Sequence, residues 1–163
     1  GLGDVYKRQE HTRLTRALQI TERAVADIAL PLGEIRAVPV AGAGLGPTIG
    51  AVEQALAQTG YSHFPVADVD GRYIGYLHIK DVLALGADPE AVVDAALVRP
   101  LPLLEATMSL PDALSHMRRN NSHLALVTGV AAGAELPPIV AVVALEDLVE
   151  ALVGTVRDGT HRV

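Results

Sequence analysis

Two aspartates, two Ser-His pairs and a short acidic run are the residues of this chain whose types and spacing could do chemistry. Asp81 closes the segment His78-Ile79-Lys80-Asp81, and Asp147 closes Ala144-Leu145-Glu146-Asp147. An acidic side chain at the third position of a helix caps free backbone N–H groups and complements the helix dipole. The same carboxylate can accept hydrogen bonds from a ligand's hydroxyls. Ser62-His63 and Ser122-His123 read either as contacts to a phosphate or base, or as polar helix-to-strand corners in which Ser bonds the backbone. Glu146, Asp147 and Glu150 could hold Mg²⁺ beside bound phosphates, or act as caps and solubilising charge. Arg118 and Arg119 could approach phosphates or form a solvated face.

Several chemistries are excluded. The chain has no cysteine, which removes disulfides, thiol catalysis and Cys-ligated metals. Its six histidines show no metal-ligand spacing such as His-Glu-x-x-His, so no metal site is expected from sequence. There is no Gly-x-Ser-x-Gly elbow. Gly42–Gly46 reads Gly-x-Gly-x-Gly but lacks the Lys-Ser/Thr of a phosphate loop. No catalytic residues, and no enzyme, are expected. A formal charge of −6 gives no basic surface for nucleic acid. The longest strongly apolar run, Ile139–Leu145, is far shorter than the roughly 20 residues that cross a bilayer.

The elements that must position these residues occur twice. Arg36-Ala37-Val38-Pro39-Val40 matches Arg99-Pro100-Leu101-Pro102-Leu103, and Tyr61–Val66 matches Asn121–Leu126. Gly75–Leu83 likewise matches Ala141–Val149. Each copy begins with a Pro-bearing strand, Ala37–Val40 or Leu101–Leu104. A helix follows. Thr48–Thr59 carries Ile49, Val52 and Leu56 on one face and stops at Gly60. In the second copy Ser109 and Asp112 form a capping-box signature ahead of a Leu110, Ala113, Leu114, Met117 stripe. Two strands come next, Phe64–Ala67 and Tyr73–Leu77 across an Asp70-Gly71 turn, or Leu124–Thr128 and Ile139–Val143. A closing helix carries Val82, Leu83 and Leu85 in one copy and Leu148, Val149 and Leu152 in the other. A unit of about 60 residues is marginal alone, and two copies packed sheet to sheet remove that difficulty. The fold class is therefore α/β (α+β), with two β-α-β-β-α repeats related by a pseudo-twofold packing of their sheets.

Domain limits follow from this grammar. Residues 1–9 have no amphipathic period and read as a non-native remnant. Residues 10–28 form a lead-in helix, 29–88 the first copy, 89–98 a linker whose Pro89-Glu90-Ala91-Val92-Val93 could form another short helix, 99–153 the second copy and 154–163 a tail.

The tandem units, one of them reading GYSHFPVADVDGRYIGYLHIKDVL, resemble a pair of CBS domains, a Bateman module. The segments LTRALQITERAVADIALPLGEIRAVP and ALEDLVEALVGTVRDG are similar to the HlyC/CorC group, which includes the CNNM transporters. The resemblance implies a regulatory module on the cytoplasmic side of the bacterial inner membrane, attached to a membrane domain that moves Mg or Co. It implies an adenine nucleotide, ATP with Mg²⁺, bound between the copies, and a homodimer. No cofactor is required for folding. The alternative is a structural dimerisation module that has lost its ligand.

The same resemblance assigns a site. Asp81 and Asp147 become the ribose acceptors that close a Gly-x-x-Ser/Thr-x-x-Asp signature. The Ser/Thr of that signature is replaced by His78 in one copy and Ala144 in the other. Ala37, Val38, Tyr61, Ser62, His63 and Pro65 form one base slot. Pro100, Leu101, Asn121, Ser122, His123 and Ala125 form its counterpart.

Overall fold

Hydrophobic stripes and caps build the helices where the spacing predicts them. In the computed structural model, which describes residues 23–86, 88–130, 133 and 135–161 plus isolated positions 3 and 8, helix α1 spans Ile49–Thr59. The Thr48 hydroxyl accepts the Ala51 N–H at 3.1 Å, and Gly60 ends the helix at φ +72°. Helix α2, Ile79–Leu83, is a single short turn and a half. Helix α3, Leu110–Arg119, starts at Ser109, whose hydroxyl accepts the Asp112 N–H at 3.2 Å. Helix α4 runs Leu145–His161, so the segment read as a tail from residue 154 continues the closing helix. Among the described residues no helix is long and apolar enough to cross a membrane.

The strands are β1 Leu30–Pro31, β2 Val38–Pro39, β3 His63–Ala67, β4 Tyr73–His78, β5 Leu103–Glu105, β6 Leu124–Thr128 and β7 Ile139–Ala144. One sheet has the order β2-β3-β4 and the other β1-β7-β6-β5. Within each copy the first strand is parallel to the second and the last two are antiparallel. The β3–β4 turn is closed by Asp68, whose carboxylate accepts the N–H groups of Asp70 and Arg72, with Gly71 at φ +82°.

Strand alternation then sorts side chains onto two faces. Phe64, Val66 and Leu77 pack beneath α1 with Val38, Val52 and Val82. Ala125, Val127, Ala141 and Val143 pack beneath α3 and α4 with Leu104, Leu110, Met117 and Leu148. The opposite faces meet in a third cluster of Tyr76, Leu124, Leu126 and Val142, flanked by Leu30, Ile35 and Leu101. Both faces of the sheets are thus covered, as near-continuous apolar strands require.

The edges are exchanged between the copies. β1 lies early in the chain yet pairs antiparallel with β7, placing Leu30 opposite Val142. Ala24 bridges Ser109, and Val25 belongs to the core of the second half. Conversely Arg99 bridges Tyr76, with each N–H donating to the other's carbonyl at 2.8 Å. A Cβ on Gly75 would stand 2.5 Å from the Arg99 carbonyl oxygen, so this edge needs glycine.

Four sequence readings are corrected. The lead-in ends in a 3₁₀ turn at Val25–Asp27, with the rest of its expected helix outside the described residues. Leu83 and Leu85 are exposed: Leu83 is the last residue of α2, one position round from the buried Val82, and Leu85 lies beyond the helix end. The linker has no helix at residues 89–93; Val92 bridges Thr48, and a 3₁₀ turn follows at Ala95–Leu97. The repeat register also shifts. Phe64 pairs with Leu77 as Ala125 pairs with Val143, so Phe64 stands where Ala125 does, one residue from the sequence match. Ser62 accordingly stands where His123 does, their carbonyls receiving the N–H groups of Ile79 and Leu145. Val38 stands where Leu104 does, since their strand partners are Val66 and Val127. The two Ser-His pairs and the two Arg-x-apolar-Pro runs are thus not equivalent positions.

Candidate functional site

The seam between the sheets opens into a cavity of about 530 Å³. Its apolar walls are Leu30 and Ile35 from the exchanged edge, Pro65 from β3, and Leu124 and Val142 from the second sheet. Its polar lining is Arg36, Ser62, His63, His78, Glu146 and Asp147, with Gly60, Tyr61 and Ala144 completing it. The size falls in the range of ordinary small-molecule sites, about 300–1,000 Å³. A few polar groups converge on apolar walls, which is what orients a ligand. The buried Arg36 Nε has no hydrogen-bond partner, leaving a donor that a ligand acceptor would satisfy.

Asp147 enters this cavity from the first turn of α4. Burial raises its pKa, and the neighbouring carboxylates of Glu146 and Glu150 push the same way. The structure therefore brings together Tyr61, Ser62, His63, Pro65, His78, Ala144 and Asp147 of the expected site. Ala37 and Val38 do not line the cavity; the Val38 side chain is buried in the first core. Sequence reasoning passed over Leu30, Ile35, Arg36, Leu124 and Val142. The apolar four carry no chemical signature, and Arg36 was visible only as part of a repeat that the register dissolves.

The pseudo-equivalent position across the seam is filled. Asp81 is gripped by Arg99, whose Nη2 and Nε donate at 2.8 and 3.2 Å. That hydrogen bond raises the Arg99 pKa further. The fully buried Tyr76 lies in the seam, and its hydroxyl accepts the His123 N–H at 3.0 Å. The Ser122 hydroxyl is buried and donates to the Leu124 carbonyl. Ala125 is core, Leu101 packs into the seam, and Pro100 and Asn121 are exposed. None of Asp81, Pro100, Leu101, Asn121, Ser122, His123 or Ala125 lines the cavity. Arg118 and Arg119, at the end of α3, and Glu150 also lie outside it.

Three histidines meet beside the cavity. His63 stacks on His123 with ring centres 4.9 Å apart and 13° between planes. His78 meets His63 edge-on at 4.4 Å, while its Nδ1 accepts the Lys80 N–H at 3.2 Å and so caps α2. His123 Nδ1 lies 3.2 Å from Glu146 Oε1. Burial pushes the His63 pKa down to about 4, with His78 adding to the effect and Glu146 opposing it. His78 is also lowered, by burial and then by Lys80.

A two-sheet seam with a cavity between duplicated β-α-β-β-α units defines a class, and comparison with known proteins agrees. Residues 47–88 match the CBS domain family. The CBS domain of the bacterial CNNM/CorC family Mg²⁺ transporter, solved in complex with ATP, superposes with a TM-score of 0.70. The match is 24% identical and covers 90% of this chain and 98% of that one. Residues 47–88 thus carry the CBS-domain match, and the fold of the described chain is that of CBS-domain structures. Among curated proteins, an uncharacterized protein of Mycobacterium tuberculosis is 66% identical over 154 residues, 94% of this chain and 43% of that protein. A protein named possible hemolysin C, from Rickettsia canadensis, is 27% identical over 144 residues, 86% of this chain and 45% of that protein. The chain spans less than half the length of these two relatives. CBS domains are regulatory modules rather than catalytic ones.

Proposed function

We propose that this chain is a nucleotide-sensing regulatory module that binds one adenine nucleotide, ATP with Mg²⁺, in the cavity between its repeats. The observation that carries this reading is the convergence of Asp147 and the unpartnered Arg36 donor on an apolar slot. The Asp147 carboxylate accepts from the vicinal ribose hydroxyls. Ile35, Pro65 and Val142 enclose the base. Arg36 faces the phosphates, whose Mg²⁺ finds oxygen donors at Glu146. The Asp81 side takes no nucleotide, because Arg99 already satisfies its carboxylate. The module acts on the cytoplasmic side of the bacterial inner membrane as a homodimer, controlling an attached Mg or Co transporter domain. A ligand shifts such an equilibrium only through different affinities for the two states. Support comes from the fold shared with an ATP-bound CBS domain of a Mg²⁺ transporter.

Calorimetry with ATP, ADP and AMP, with and without Mg²⁺, tests the reading. One site per chain is expected, weakened at least tenfold by Asp147→Asn and left intact by Asp81→Asn. No heat and no thermal shift at millimolar nucleotide overturns it. The second reading, a ligand-free dimerisation module, is favoured by one observation: Ala144 offers no hydroxyl beside Asp147, and His78 is committed to capping α2. It predicts dimerisation indifferent to nucleotide in sedimentation experiments.

A further inference from the structure

We propose that His63, His123 and Glu146 form a site for a divalent transition-metal ion of the zinc class at the seam between the two halves. The proposal goes beyond the nucleotide reading and does not depend on it. One ligand atom from each of the three residues lies within 4.8 Å of the others. Metal–ligand bonds of roughly 2.0–2.2 Å in a tetrahedron place donor atoms roughly 3.3–3.6 Å apart. The His123 Nδ1 to Glu146 Oε1 distance, 3.2 Å, is close to that range. The three ligand atoms span up to 4.8 Å, so His63 must turn out of its stack on His123 to complete the set.

His63 has a reason to do so. Its Nε2 is buried and has no hydrogen-bond partner. A buried ring nitrogen left unpaired costs stability, and a metal bond would relieve it. The donors are also held from behind. His63 sits in β3 opposite His78, whose own ring is fixed by its cap to Lys80. His123 is anchored through its backbone, donating to the Tyr76 hydroxyl and accepting from Leu145 N–H. Glu146 is in the first turn of α4.

Two imidazoles and one carboxylate suit Zn²⁺, Co²⁺ or Ni²⁺. Mg²⁺ prefers six oxygens and keeps its waters, so it is a poor match. Three protein donors leave a fourth position to water. One donor comes from the first repeat and two from the second, so a bound ion would tie the repeats together across the seam. The sequence hides this site, since no two of the three residues have a ligand spacing.

The test is Co²⁺ titration of the whole, metal-stripped chain without nucleotide, followed by visible absorption. Saturation at one Co²⁺ per chain with four-coordinate d–d bands is expected, the bands being displaced by Zn²⁺ and not by Mg²⁺. His123→Ala and Glu146→Gln should each weaken binding at least tenfold, while His116→Ala, distant on α3, should not. Far-UV circular dichroism checks the fold of each variant. Should His123→Ala misfold, Glu146→Gln decides, because Glu146 is exposed. Absence of saturable binding at millimolar Co²⁺ or Zn²⁺, or binding unchanged in Glu146→Gln, overturns the proposal.

Discussion

Asp81 and Asp147 occupy matching places in the two repeats, and their neighbours give them opposite roles. Asp81 is spent on Arg99, whereas Asp147, an exposed residue, is partly desolvated beside two other carboxylates. Asp81→Asn should therefore cost about 1 kcal/mol of stability, the scale of a partly exposed ion pair, and leave nucleotide binding unchanged. Asp147→Asn should do the reverse. A folded-state pKa above the unfolded one means that ionised Asp147 opposes folding at neutral pH. The amide removes that cost, so thermal melts at pH 7 should show an unchanged or higher Tm while calorimetry shows lost binding. The histidines carry a separate pH signature. In chelator, His63 stays neutral in the folded state down to about pH 4, whereas in the unfolded chain it protonates near 6.5. The unfolded state then holds more protons, so the contribution of His63 to stability is constant above about pH 6.5 and falls as pH drops from there toward 4. His63→Asn should flatten that part of a Tm-against-pH curve. A curve already flat in the unmodified chain would contradict the burial of His63.

At the level of elements, periodicity and caps were legible and register was not. The stripes Ile49–Val52 and Leu110–Ala113–Met117 are buried as their spacing predicts, and Thr48 and Ser109 cap as their types predict. The repeat match slipped by one residue at β3 and β6 because Ser-His occurs twice and drew the comparison to itself. Side chains alternate across a strand, so that slip exchanges cavity for core. The signal that fixes the register was present: Gly60 at φ +72° and Asn121 at φ +49° are the left-handed residues that end α1 and α3. Matching those two helix stops puts Phe64 on Ala125. Exchanged edges were not legible, since β1 is two residues long and its partner strand lies far along the chain. Gly75 is where that pairing becomes testable. Gly75→Ala should destabilise the chain by about 1–3 kcal/mol, the usual cost of overpacking, with a lower urea midpoint. The same variant should loosen Arg99 from Asp81. A midpoint equal to that of the unmodified chain would mean that the Arg99 edge has room to move.

For the whole molecule, the exchanged edges make the two repeats interdependent. A chain ending at residue 88 would leave the seam side chains Tyr76 and Ile35 without Leu124, Leu126 and Val142. Such a fragment should lack a cooperative thermal transition, and mixing it with residues 89–163 should not restore the intact chain's Tm, because the segment carrying β1 would arrive without its covalent register. A cooperative melt from either half alone would show that the seam is dispensable. The early crossing of the chain has a mechanical consequence as well. Any tug on the polypeptide ahead of Ala24 is delivered to Ser109 and β7, before it reaches the repeat that follows in sequence. On that route the chain passes Leu30, Ile35 and Arg36, three walls of the cavity. Force applied at the leading strap thus acts as a drawstring on the pocket's mouth, and an occupant of the pocket resists the pull in return.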